Sequence, residues 1–268
     1  MPLIDGLHYE ERGSGPAVLL IAGTGARGRT WHLHQVPALV AAGYRVVTFD
    51  TRGIPPSDTP AVVTAAGQVA DAAMLVERLG LAPCRVAGSS MGARVAAELC
   101  VQRPDLVDRA VLMAVFGGRN VFRQAMEDAE RALEGTSLPP EYGAMVRAAL
   151  NLSPRTIADD RQARDWLDVF QLPAPGAGGT TRLELGTHVD RLDAYAGITV
   201  PCLVVGFADD LIAPAVGCQE VAKAIPGARY AEIPDAGHYG YLEQPARLNA
   251  ELLAFLRPEA FPDPKETA

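Results

Sequence analysis

The sequence predicts an α/β fold in which a parallel sheet is covered by helices on both faces and interrupted by a helical insertion. Three observations carry this. Short apolar runs recur at residues 17–22, 84–87, 109–115 and 202–205, as strands buried on both faces require. Helix-period stretches of about 10–15 residues separate the first of these runs, the length of a crossover between parallel strands. Residues 120–172 then hold no strand-like run and three helix-period segments instead.

The elements follow in order. The run 17–22 ends at Gly23-Thr24-Gly25, and residues 31–42 read as a helix closed by Gly43. A second strand, 45–49, leads into the turn-rich loop from Asp50 to Asp58, which contains Pro55-Pro56. Thr64 caps a helix to Leu79 whose inward stripe is Val69, Ala72, Ala73, Val76 and Leu79. The strand at 84–87 passes through Gly88-Ser89-Ser90-Met91-Gly92 into a helix that Pro104 terminates, and 109–115 is a further strand. The helical segments beyond it carry Phe122, Tyr142, Met145, Trp166 and Phe170, and residues 173–179, rich in Pro and Gly, read as a connector. The chain divides into a core of residues 1–118 and 187–268 and an insertion of residues 119–186. Strands return at 200–206 and 228–233, and a last amphipathic helix spans about 245–256. The tail from Arg257 carries three prolines and is expected to pack loosely.

Composition narrows the class. The 268 residues carry a net charge of −8, which argues against a nucleic-acid partner, since phosphate neutralisation calls for a basic face. Apolar residues make up 49% and charged residues 21%, as in a chain that buries a core. No apolar run approaches the roughly 20 residues that span a membrane, and the N-terminus has no secretory pattern, so a cytoplasmic protein is expected. Cys84, Cys100, Cys202 and Cys218 lack metal or redox spacing and read as buried free thiols. Nothing in the sequence calls for a metal or an organic cofactor. Whether the insertion or an edge strand forms a homodimer face is left open.

The chemistry centres on Gly88-Ser89-Ser90-Met91-Gly92, a G-x-S-x-G pattern between a buried strand and a helix. A nucleophile on such a turn is lifted into the open. Small neighbours let strand and helix approach, and the helix N-terminus offers free N–H groups to an oxyanion. The flanking glycines centre on Ser90 rather than Ser89. Of five histidines, His8, His32, His34 and His188 read as surface or packing residues. His238 sits in a turn-rich loop after the last strand, where the carboxyl edge of a parallel sheet places a base. Asp209 and Asp210, after the strand at 202–205, are the candidate acids; Asp209 is favoured, with Asp210 expected to cap the helix near Pro214. The order Ser90, Asp209, His238 differs from those of the two major serine-protease groups.

With these residues placed, the chain resembles the α/β-hydrolase superfamily from about residue 7 to 256. The matching pieces are 22–25, Phe49-Asp50-Thr51-Arg52-Gly53, 88–92, 206–209, Gly237-His238-Tyr239 and Leu242-Glu243-Gln244-Pro245. The resemblance implies eight mostly parallel strands, a helical cap over the site, and an oxyanion hole from the backbone N–H groups of Thr24 and Met91. Ala22 stands where the family usually has His, and Pro55-Pro56 departs from its R-G-x-G-x-S loop. Ser90 argues against the dehalogenase and epoxide-hydrolase branches, whose nucleophile is Asp. The implied activity is acyl transfer from an ester, lactone or thioester of a small-to-medium apolar organic molecule to water. Phe116, Tyr142, Trp166, Phe170 and Tyr239 are the candidate pocket residues. Carbon–carbon hydrolysis, lyase or cyclase chemistry on the same triad, and a non-catalytic binding role, stand as alternatives.

Overall fold

The computed structural model describes residues 2–133, 136, 138–172, 181–186 and 189–257. The connector at 173–179, His188 and the tail beyond Arg257 lie outside the described residues.

The sheet is built from β1 (Leu3–Ile4), β2 (Leu7–Arg12), β3 (Ala17–Ile21), β4 (Arg45–Phe49), β6 (Cys84–Ser89), β7 (Val107–Met113), β9 (Cys202–Phe207) and β10 (Arg229–Ile233). Its eight strands run in the order β1-β2-β4-β3-β6-β7-β9-β10. The β1–β2 and β2–β4 pairs are antiparallel and the rest are parallel. Two three-residue strands, β5 (Val62–Thr64) and β8 (Arg182–Glu184), pair in parallel apart from this sheet.

Period-2 geometry sends alternate side chains to opposite faces, and both faces are buried. Along β3, Leu19 and Ile21 enter one core cluster while Val18 and Leu20 enter the other. The first cluster lies under α2 (Ala65–Arg78), α3 (Met91–Gln102), α8 (Leu192–Tyr195) and α9 (Ala215–Ala224). The second lies under α1 (Gln35–Ala41) and α11 (Pro245–Leu256), with Trp31 wholly buried.

Between β7 and β8 the described residues form α4 (Val121–Ala132), α5 (Pro140–Asn151), α6 (Pro154–Ala158) and α7 (Asp160–Gln171). Ala144, Ala148, Leu152 and Phe170 form a small core of their own there. A short helix, α10 (Gly240–Glu243), precedes α11. None of the helices is long and apolar enough to cross a membrane among the described residues.

Three expectations change. The helix over 31–42 is two pieces, a 3-10 helix at Gly28–Leu33 and then α1. Pro37 has no N–H to extend a helix begun earlier, so the break falls at His34. Residues 7–12, read as a polar segment, form β2, and His8 is buried there. Its imidazole Nδ1 makes a 2.8 Å contact with Asp50, which offsets part of the cost of burying it, while Nε2 has no partner among the described residues. Finally, 119–186 is not helical throughout: β8 lies within it, exposed at every residue and so without an apolar signature.

All four thiols are free and buried. Burial disfavours the thiolate and pushes Cys84 and Cys218 up to about 12, and the Cys202 thiol and burial together raise Cys100. The folded protein should therefore not react with Ellman's reagent at pH 8 over an hour, whereas denatured protein should titrate four thiols.

Candidate active site

Ser90 stands between β6 and α3 with φ 56° and ψ −121°, a backbone region that residues with a Cβ rarely occupy. The neighbours enforce it. A Cβ at Gly88 would collide with the Gly92 carbonyl, and one at Gly92 would collide with the Ile21 carbonyl on β3. Strand and helix therefore cross at backbone contact, and Ser90 is held by its N–H to the Met113 carbonyl at 2.9 Å. Ser89 is buried inside β6, while Ser90 is half-buried at the turn.

The start of α3 and the loop after β3 flank this serine. Met91 is the first residue of α3, where no preceding helical turn supplies an acceptor for its N–H. On the other side the loop after β3 passes close enough that a Cβ on Gly23 would stand 3.3 Å from the Ser90 Cβ, and Thr24 follows it. Asp50 anchors that loop by accepting the Gly28 N–H at 2.8 Å with Oδ1 while Oδ2 meets His8. Ser57 completes the anchor, donating to the Asp50 carbonyl and accepting the His8 N–H. Ser57 keeps both contacts despite the Pro55-Pro56 departure.

His238 follows β10 at the same sheet edge and is 7% exposed. Its partner corrects the expected acid. Asp210, not Asp209, contacts His238 Nδ1, through Oδ2 at 2.8 Å. Asp210 is buried, whereas Asp209 remains partly exposed. A carboxylate has two oxygens, and Asp210 uses both. Its Oδ1 accepts the N–H groups of Ile212 and Ala213, each at 2.8 Å, so the turn before α9 and the imidazole share one side chain. Capping and orienting the histidine are thus compatible roles.

The histidine loop is also tied to the helices between β7 and β8. Glu243 accepts the Gly237 N–H at 2.7 Å and the Ser153 N–H at 2.8 Å, one oxygen to each. The Tyr239 N–H reaches the Asn151 carbonyl at 3.2 Å. Tyr239 stacks on Trp166 at 5.7 Å and on Phe170 at 6.0 Å, and those two rings stack on each other at 5.4 Å. Three of the five expected pocket residues therefore meet beside His238. Phe116 is buried in the sheet core with the Arg123 guanidinium 3.7 Å over its ring. Tyr142 points into solvent, 52% exposed, and stands outside the stack.

Glu243 and the His8–Asp50 pair were not singled out as functional in the sequence. Glu243 lies in the Leu242-Glu243-Gln244-Pro245 motif, and an acid six residues after a loop glycine is the available signal. No comparable pattern marks His8, whose partner is 42 residues away.

The alpha/beta hydrolase family model matches residues 18–251. A Mycobacterium tuberculosis protein provisionally named non-heme bromoperoxidase BpoC is 46% identical over 253 residues, covering 93% of this chain and 97% of that one. Its crystal structure has a TM-score of 0.86 over 94% of this chain and 96% of its own. A thermophilic esterase from Thermogutta terrifontis is 25% identical with a TM-score of 0.80, covering 94% and 93% of the two chains. The enol-lactonase from Burkholderia xenovorans is 25% identical with a TM-score of 0.76, covering 93% and 96%. With the family model running from β3 into α11, the chain belongs to the alpha/beta hydrolase family.

Proposed function

We propose that this hydrolase cleaves an ester or lactone of a compact organic molecule through an acyl-enzyme on Ser90. The observation that carries this reading is the His238–Asp210 pair at 2.8 Å, buried at the sheet edge that also bears the strained Ser90 turn. In this reading His238 takes the Ser90 proton as the hydroxyl attacks the carbonyl carbon. The imidazole then returns that proton to the departing alcohol, and Asp210 stabilises its charged form. The Thr24 and Met91 amides receive the developing oxyanion, a contribution of about 100- to 1,000-fold per donor. Water activated by His238 then releases the acid and restores Ser90. Helices α4–α7 act as the cap, and the Trp166, Phe170 and Tyr239 rings offer an apolar wall to the substrate. The likeness to an esterase and an enol-lactonase supports this substrate class.

The mycobacterial relative's name favours a second reading. Hydrogen peroxide would replace water at the acyl-enzyme, its oxygen bonding to the acyl carbon as the Ser90 oxygen leaves with a proton. The resulting peroxy acid then oxidises bromide. Bromination of monochlorodimedone that needs an added carboxylic acid and disappears in Ser90→Ala would favour it.

Fluorophosphonate probes should label wild type and not Ser90→Ala, and the variant should lose p-nitrophenyl acetate hydrolysis. A folded wild-type protein that takes no label would overturn the acyl-enzyme. Asp210→Asn keeps an acceptor for the Ile212 and Ala213 amides but disrupts the imidazole contact, so kcat should fall about 1,000- to 10,000-fold. Asp209→Asn should change kcat by less than about threefold. Glu243→Ala removes both backbone acceptors, and urea unfolding should report a loss of about 2 kcal/mol. Its kcat should fall as well, and Glu243→Gln, which retains one acceptor oxygen, should recover part of each loss.

A further inference from the structure

Beside the Ser90 turn lies a second feature that the acyl-transfer reading does not use. A cleft of about 110 Å³ opens between Thr24 and Gly25 of the loop after β3, residues 51–54 of the loop after β4, Gln68 on α2, and Thr181 and Leu183. Thr24 directly follows Gly23, where a Cβ would stand 3.3 Å from the Ser90 Cβ, so one wall of the cleft belongs to the loop that approaches the nucleophile.

The walls are built. Thr181 donates to the Pro60 carbonyl at 2.7 Å, the Arg182 N–H reaches the Ala61 carbonyl at 2.9 Å, and β8 pairs with β5 directly after. Gly53, at φ 88°, brings the opposite wall so close that a Cβ there would stand 3.2 Å from the Thr181 methyl.

Its chemistry is polar and electrically balanced. Gln68 is 6% exposed, and its Oε1 has no hydrogen-bond partner among the described residues. Neighbouring inward positions of α2 are Val69, Ala72 and Leu75, so core packing on this helix calls for apolar side chains and leaves the amide unexplained. Arg52 supplies no spare charge. Its Nε–H reaches Asp71 at 3.0 Å, and its Nη groups reach Asp58 at 3.2 Å and the Asp5 carbonyl at 2.7 Å. An anion would gain little here, and a cation would meet a guanidinium. A cavity of about 150 Å³ holds a benzene ring, so this one takes a smaller group of a few heavy atoms.

We propose that the cleft is a specificity subsite for a compact, uncharged hydroxyl-bearing part of the acyl group, with the hydroxyl donating to Gln68. The proposal rests on the acyl-enzyme reading and names the substrate class within it: hydroxyacyl esters or the corresponding lactones. A site that bonds a substrate hydroxyl discriminates against the analogue lacking it, because its own polar group is then left unpaired.

The test compares kcat/KM for p-nitrophenyl 3-hydroxybutyrate and p-nitrophenyl butyrate in wild type, Gln68→Leu and Gln68→Met, with thermal melting and fluorophosphonate labelling of each. Wild type should prefer the hydroxy ester by tenfold or more once the intrinsic reactivities in alkali are divided out. Both variants should bring that ratio to about one, and Gln68→Met, close in length to Gln, serves if Gln68→Leu does not fold. A wild type that hydrolyses butyrate and takes the label but shows no hydroxyl preference would overturn the subsite alone, leaving the cleft to water. A preference that survives in the variants would do the same. Failure of both labelling and hydrolysis would overturn the acyl-enzyme, and this subsite with it.

Discussion

The backbone contact between Gly88 on β6 and Gly92 on α3 is the constraint from which the site is laid out. A strand and the helix that follows it do not normally touch main chain to main chain, because side chains hold them apart. Here they do, because neither glycine carries a side chain, and the residue between them is driven to φ 56°. Such a conformation costs on the order of 1–3 kcal/mol and persists only when its surroundings over-determine it. The Met113 carbonyl on one side and the β3 carbonyls on the other supply that confinement. Every other component is then measured from Ser90: the amide that opens α3, the loop after β3, and the imidazole after β10, three strands across.

The segments around Ser90 and His238 rest on carboxylates that each do two things. Asp210 holds a turn and an imidazole, Asp50 holds a loop amide and a buried imidazole, and Glu243 holds one amide from each of two segments. Orientation by paired oxygens is stiffer than orientation by one, because a rotation that relaxes one bond strains the other. In Glu243 the two amides belong to the His238 loop and to the start of α6, so the inserted helices and that loop share an anchor.

Much of this was legible in the sequence where the signal is local. The buried strands announce themselves as apolar runs, and the elbow shows as small residues at fixed spacing around a serine. His238 is marked by the turn-rich loop after the last strand. Legibility fails where a residue's role depends on a partner far along the chain. His8 looks polar until Asp50 is placed against it, and β8, exposed at every residue, has no apolar pattern. The choice between Asp209 and Asp210 failed for a different reason. Capping a turn does not free the neighbouring residue for chemistry, because one side chain with two acceptor oxygens can do both. Aromatic residues of the inserted helices could be enumerated but not sorted, since which helical face meets Tyr239 is decided by tertiary packing.

One hydrogen bond gives the inserted helices a different kind of significance. The Arg191 N–H donates to the Gly117 carbonyl at 2.7 Å, and the Arg191 guanidinium grips Glu98 of α3 at 2.6 and 2.8 Å. The chain thus leaves the sheet at Gly117 and rejoins it at nearly the same point, some seventy residues later. A detour whose two ends are already fastened together can lengthen, shorten or be replaced with little penalty to the sheet, because closure entropy grows only slowly with its length. The sheet with its Ser90 turn and the inserted helices can therefore diverge at separate rates. One elbow can thereby persist while the molecules delivered to it change.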